Sequence, residues 1–242
     1  MEQHNPLEHF ELHPIIDINL FGVDISVNKA VIMMWIICIL IPCLFMLAAR
    51  GRRIIPTRLQ SLTEISIEFL RNLVVDNMGK KGLKFFPFIA TLFFFILFCN
   101  LLGIIPGAYT VTSQVIVTGF FAIVVFIISQ IVGFLIHGIG YLKVFVPAGV
   151  PKFIIPLIIP IEIVSMMARP LSLAVRLFAN MTAGHTILIV LFSLAISLKY
   201  IGVLPFFFTV AFTGLEIFIA FIQAYIFTIL TCVYIGEAIE MH

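Results

Sequence analysis

Residues 153–198 read FIIPLIIPIEIVSMMARPLSLAVRLFANMTAGHTILIVLFSLAISL, an apolar run that carries Glu162, Arg169, Arg176 and His185. As one helix this run would be ~69 Å long, more than twice a ~30 Å hydrocarbon core, so a single upright helix is excluded. Two arrangements remain open from hydropathy alone: two shorter spans broken near Arg169 and Pro170, or one long helix at a steep tilt. In both, Arg176 lies deep in the apolar region. A guanidinium there costs roughly 2.5–3.5 kcal/mol on insertion scales, so it is retained where a partner or a function compensates.

The rest of the chain agrees with a membrane setting. With 62% hydrophobic and 11% charged residues among 242, it has too little polar surface to cover a soluble globule. A net charge of +2, with the basic residues gathered at helix ends, sets nucleic acid aside. Cys38, Cys43, Cys99 and Cys232 form no CxxC pair, so neither a disulfide framework nor a zinc site is indicated. The acidic N-terminus MEQHNPLEHFELHPII lacks a basic n-region and is not read as a cleavable signal. Its histidines His4, His9 and His13 are weighed as a metal site and set aside; residues 1–28 read as an interfacial lead-in resting on the bilayer or on a neighbouring subunit.

Residues 30–49 form the first expected span, with a kink at Pro42. The loop 50–84 holds eight of the fourteen basic residues and is therefore cytoplasmic. Within it Leu59, Leu62, Ile65, Phe69, Leu73 and Met78 recur at helical spacing, predicting an amphipathic helix on the inner surface that ends at Gly79 and Gly82. Residues 85–102 and 111–137 are the second and third spans, separated by GIIPG. His137 reads as a packing histidine, since a haem site would need paired histidines. Residues 138–152 form a second cytoplasmic loop, 200–205 a turn, 206–234 the last apolar run, and GEAIEMH an acidic tail. Counting crossings puts the N-terminus outside and the C-terminus inside. The fold class is an all-α polytopic membrane protein of five membrane helices plus the interfacial helix, in one membrane domain over residues 1–242.

Glu162, Arg169 and Arg176 are spaced by sevens, and each step drifts only ~20° around a helix, so the three share a stripe with Asn180 nearby. Ser165, Ser172, Ala179 and Ala183 fall on the same side, a floor of small residues that marks close approach by another helix. Leu171, Phe178, Met181 and Leu188 take the other side. Arg169, before Pro170, reads either as a bundle-holding residue paired with an internal carboxylate, or as an anchor or snorkelling side chain.

Arginine keeps its proton, so Arg176 is a fixed charge and not a relay. On one continuous helix Glu162 stands ~21 Å before it and His185 ~13 Å after it. Glu216 and Gln223 repeat the spacing of seven, with Thr209 and Tyr234 close to the same stripe. A hairpin of the last two helices would bring Glu216 to His185. Two polar half-paths separated by a permanent charge call for a mobile carrier whose carboxylate passes Arg176 and loses its proton there.

RPLSLAVRLFANMTAGH (169–185), LEIFIAFIQAYIFTILTCVYI (215–235) and NLLGIIPG (100–107) together resemble subunit a of the membrane sector of F-type rotary ATP synthases, over most of the chain. The resemblance implies a proton-translocating stator, not an enzyme on its own, that abuts a c-subunit ring through two long, tilted helices forming a hairpin over residues 153–234. It implies as partners the ring, peripheral-stalk b subunits, other ATP synthase subunits and membrane lipid, with no cofactor and no metal. Arg176 matches the essential arginine opposite the ring carboxylate. Glu162, Asn180 and Gln223 match positions of the two aqueous half-channels. His185 and Glu216 are exchanged relative to many bacterial members, as in mitochondrial ones. Gly103 stands where some members carry an acid, which shifts the outer path to Asn100, Ser113 and Gln114; Arg169 and Tyr234 are secondary positions. A bacterial inner membrane is the expected location, ahead of the mitochondrial inner membrane. The runner-up reading, a stand-alone proton-coupled transporter, lacks the expected internal repeats. An intramembrane hydrolase lacks both GxSxG and an aspartate pair.

Overall fold

A computed structural model describes residues 14–16, 19–20, 23–24, 26–50, 56–105, 109–145, 153–198 and 202–240. It contains six α-helices: α1 (Lys29–Ala49), α2 (Arg58–Met78), α3 (Phe86–Gly103), α4 (Val115–His137), α5 (Ile155–Ser197) and α6 (Val203–Ile239). Five are long and apolar enough to cross a membrane, and α2 is the other. The chain is an all-α polytopic membrane protein. His4, His9, His13, Arg52, Arg53, Lys152 and Tyr200 lie outside the described residues. Ahead of α1, where only a surface lead-in was expected, two short antiparallel ladders pair Pro14–Ile16 with Val27–Asn28 and Asn19–Leu20 with Val23–Asp24. The isoleucines and valines there suit extended backbone.

The long apolar run is one helix and not two. α5 spans 43 residues and continues through Pro160 and Pro170. Pro170 removes the hydrogen bond to the Met166 carbonyl, which membrane helices tolerate where neighbours shield the freed group, and Met166 is itself buried. α6 returns antiparallel to α5: Gly184 faces Glu216, Asn180 faces Gln223 and Arg169 faces Glu237, in opposite chain order along the two helices.

α6 is the central helix, touching α2, α3, α4 and α5. Lipid tails are as apolar as leucine, so packing and not water exclusion holds these helices together. One cluster joins Leu70, Phe93, Ile96, Leu177, Ala224 and Phe227; a second joins Val74, Met78, Ile89, Tyr141 and Ile235. Small residues bring the backbones close. A Cβ on Gly236 of α6 would lie 2.7 Å from the Asn77 carbonyl of α2.

Four details differ from the sequence expectation. The apolar stripe of α2 divides: Leu62 and Ile65 are 69% and 64% exposed, whereas Leu70, Leu73, Val74 and Met78 are buried, because only the C-terminal half reaches α6. α4 begins at Val115, because residues Val111–Ser113 form a 3₁₀ turn in which Ser113 Oγ donates to the Thr110 carbonyl at 2.6 Å. α6 runs on to Ile239 and absorbs much of the expected acidic tail, held by the contact at Gly236. On α5 the packed arc comprises Met166, Leu173, Ala174, Leu177 and Met181, about 100° round from Arg176. Leu171 falls beyond this arc and is 65% exposed.

Candidate functional site in the α5–α6 hairpin

Arg176 projects from the exposed side of α5, and among the described residues no carboxylate lies within ion-pair reach of it. Ser165, Ser172, Ala179 and Ala183 are exposed as well, so none of the described helices covers the small-residue face. One turn along, Asn180 Nδ2 donates to Gln223 Oε1 at 3.0 Å. The Gln223 side chain is otherwise buried, and its Nε2 has no partner among the described residues.

Beyond that bond lies Glu216, buried between the helices, with neither carboxylate oxygen hydrogen-bonded among the described residues. Gly184 makes the room: a Cβ there would stand 2.8 Å from Glu216 Oε1. The hairpin therefore brings Glu216 beside the residue preceding His185, without its carboxylate accepting a hydrogen bond from that imidazole. His185 is half-buried. A buried carboxyl without a donor is completed by water, by a proton or by an arriving group.

The same end holds a fully engaged polar knot. Asn100, wholly buried on α3, donates through Nδ2 to the Ala220 carbonyl at 3.3 Å and accepts from Thr112 Oγ1 at 2.8 Å. Gln114 Nε2 donates to the Tyr109 hydroxyl. Burial raises the Tyr109 pKa above its ordinary value, opposed by that hydrogen bond. Asn100, Ser113 and Gln114 thus sit together around the α3–α4 connection.

Towards the other end of the hairpin, Glu162, Arg169, Gln130, Tyr141, Tyr234 and Glu237 border a cavity of about 70 Å³. That volume has room for about two waters at the ~30 Å³ each takes in the liquid. Arg169 forms an ion pair with Glu237, and its Cζ lies 5.6 Å from the Tyr234 ring centroid. Tyr141 fits there because Gly133 has no Cβ to run into its ring.

Residues 31–236 match the profile of the ATP synthase A chain family. This chain belongs to the ATP synthase subunit a family. ATP synthase subunit a of Magnetococcus marinus is 49% identical over 244 residues, covering 98% of this chain and 94% of that relative. The subunit of Pelagibacter ubique is 47% identical, with 98% of each chain covered. That of Rhodospirillum rubrum is 46% identical, covering 99% of this chain and all of the relative. With five helices of crossing length, this member of the subunit a family is a multi-pass membrane component of ATP synthase, in the setting of proton transport and ATP synthesis.

Within this subunit a fold, Glu237 and Tyr141 border the candidate site's cavity and were missed in reading the sequence. Glu237 had a signal: it continues the steps of seven from Glu216 and Gln223, with Leu230 between. Tyr141 had none, since it lies in the 3₁₀ segment Gly138–Phe145 that reads as a loop.

Proposed function

We propose that the α5–α6 hairpin is the proton-translocating stator surface of ATP synthase, offering two aqueous half-channels to the carboxylates of a c-subunit ring and keeping them apart with Arg176. The observation that carries this reading is Arg176 itself: an exposed guanidinium without a counter-ion among the described residues, on a face of small residues. Such a cation invites a carboxylate from another molecule.

In the direction driven by entering protons, a proton arrives past Asn100, Ser113 and Gln114 and is handed through His185 and Glu216. Asn180 and Gln223 lead it on to a ring carboxylate. The protonated, neutral carboxyl then travels through lipid with the ring and returns on the far side of Arg176. Opposite charge favours the ionised carboxylate there, and the proton leaves through the cavity beside Glu162. Arg176 cannot take or give the proton, so no proton crosses without ring movement.

In this reading residues 1–242 act as one membrane domain, with 153–234 carrying the path and 50–84 on the cytoplasmic face. The N-terminus is outside, the C-terminus is cytoplasmic, and the membrane is a bacterial inner membrane. Peripheral-stalk b subunits and the remaining ATP synthase subunits complete the assembly. Arg176→Ala is expected to abolish proton-driven ATP synthesis while the subunit still co-purifies with a c-type ring. Retained synthesis, or a chain that purifies without any ring, overturns the reading.

A further inference from the structure

Arg169 and Arg176 share one stripe of α5, ~10.5 Å apart along the axis, yet they keep different company. Arg169 is paired with Glu237 and overlain by Tyr234. Arg176 has no carboxylate in reach among the described residues. Glu162 is the other acid at the cavity, on the same stripe as Arg169, but it is Glu237 that forms the ion pair.

We propose that Glu237 is a positioning residue that cancels the charge of Arg169, leaving Arg176 as the one open cation a ring carboxylate meets and leaving the Glu162 carboxylate able to exchange protons. This rests on the stator reading above. Even where water reaches it, as at this half-exposed pair, a guanidinium attracts a carboxylate close by without discriminating between carboxylates. An unpaired Arg169 therefore has two wrong partners: Glu162, one step of seven away, and the ring carboxylate on its way to or from Arg176. Either contact parks a group that has to cycle. Glu237 is suited to prevent both because α6 holds it in place: the adjoining Gly236 packs on the Asn77 carbonyl of α2, so the counter-ion sits on a packed helix and not on a loose tail.

The test uses the complete ATP synthase in inverted membrane vesicles, comparing Glu237→Gln, the double variant Arg169→Gln/Glu237→Gln, and Arg176→Ala, with retention of the subunit measured by co-purification. Glu237→Gln is expected to lower ATP synthesis several-fold with the subunit retained. The double variant is expected to recover most of that loss, because a neutral residue at 169 needs no counter-ion. A wild-type rate in Glu237→Gln overturns the proposal. So does a double variant as slow as the single one, or loss of Glu237→Gln from the complex, since either assigns the pair to structural clasping. Synthesis retained in Arg176→Ala overturns the underlying stator reading instead, whatever the other two variants do.

Discussion

Asn180 and Gln223 are joined by a 3.0 Å hydrogen bond across the hairpin, one turn from Arg176, and this bond leaves the Gln223 Nε2 buried with no partner among the described residues. One half of the Gln223 amide is thus committed to α5, and the other half is a donor without a partner among the described residues. Replacing it by Gln223→Leu removes the acceptor for Asn180 and the spare donor together. A net hydrogen bond is worth ~1 kcal/mol, or about a fivefold change in rate if it is felt in proton transfer. ATP-driven acidification of vesicles is expected to fall by about that factor or more; an unchanged rate would remove the pair from the path.

Gly184→Ala tests the space around Glu216. The added methyl carbon would sit 2.8 Å from the carboxylate oxygen, closer than real Cβ contacts allow, so the acid side chain has to move. Proton flux is expected to drop while the subunit stays in the complex, and the shorter Glu216→Asp in the same background should restore part of it. Equal flux in Gly184→Ala and the parent is the contrary result.

Asn100→Leu breaks the knot near the α3–α4 connection by orphaning the Thr112 hydroxyl and removing the donor to the Ala220 carbonyl. Leaving a buried polar group unpaired costs about 1–3 kcal/mol. The expected outcome is a lower temperature at which the complex loses this subunit, read by co-purification after heating.

Gly236→Ala and Gly119→Ala make a matched pair. The first places a Cβ 2.7 Å from the backbone oxygen of Asn77, whereas the second meets nothing within 4 Å. Overpacking typically costs 1–3 kcal/mol, while alanine is favoured over an exposed helical glycine by up to ~1 kcal/mol. Heat resistance is expected to fall for Gly236→Ala and to hold or rise for Gly119→Ala; the reverse order would refute the packing of α2 on α6.

What could be read from the residues depended on how local the signal was. The stripe of Glu162, Arg169 and Arg176 is a property of one helix, so spacing alone exposes it. The choice between a broken run and a single helix was not local, because it depends on what packs around Pro170. The same holds for α2, whose periodicity announces an apolar face but not which half of that face meets α6. Glu237 was hidden for a different reason. It follows Gly236 in a short acidic stretch, and such stretches usually lie in solvent; here Gly236 packs on Asn77 and Ile235, Ala238 and Ile239 are buried around it, so the helix runs on far enough to present Glu237 to Arg169.

The 43-residue length of α5 also sets a direction. To keep ~64 Å of helix within a ~30 Å core it leans by as much as ~60° from the membrane normal. Glu162 and Gly184, at the two ends of the proposed path on this helix, are ~33 Å apart along the axis, which at that slope is ~16 Å of depth and ~29 Å of sideways displacement. In the proposed stator, the two half-channels are thus separated sideways more than in depth. In that reading a proton makes most of its passage by being carried sideways with the ring, and the long lean of α5 is what sets the two ports apart.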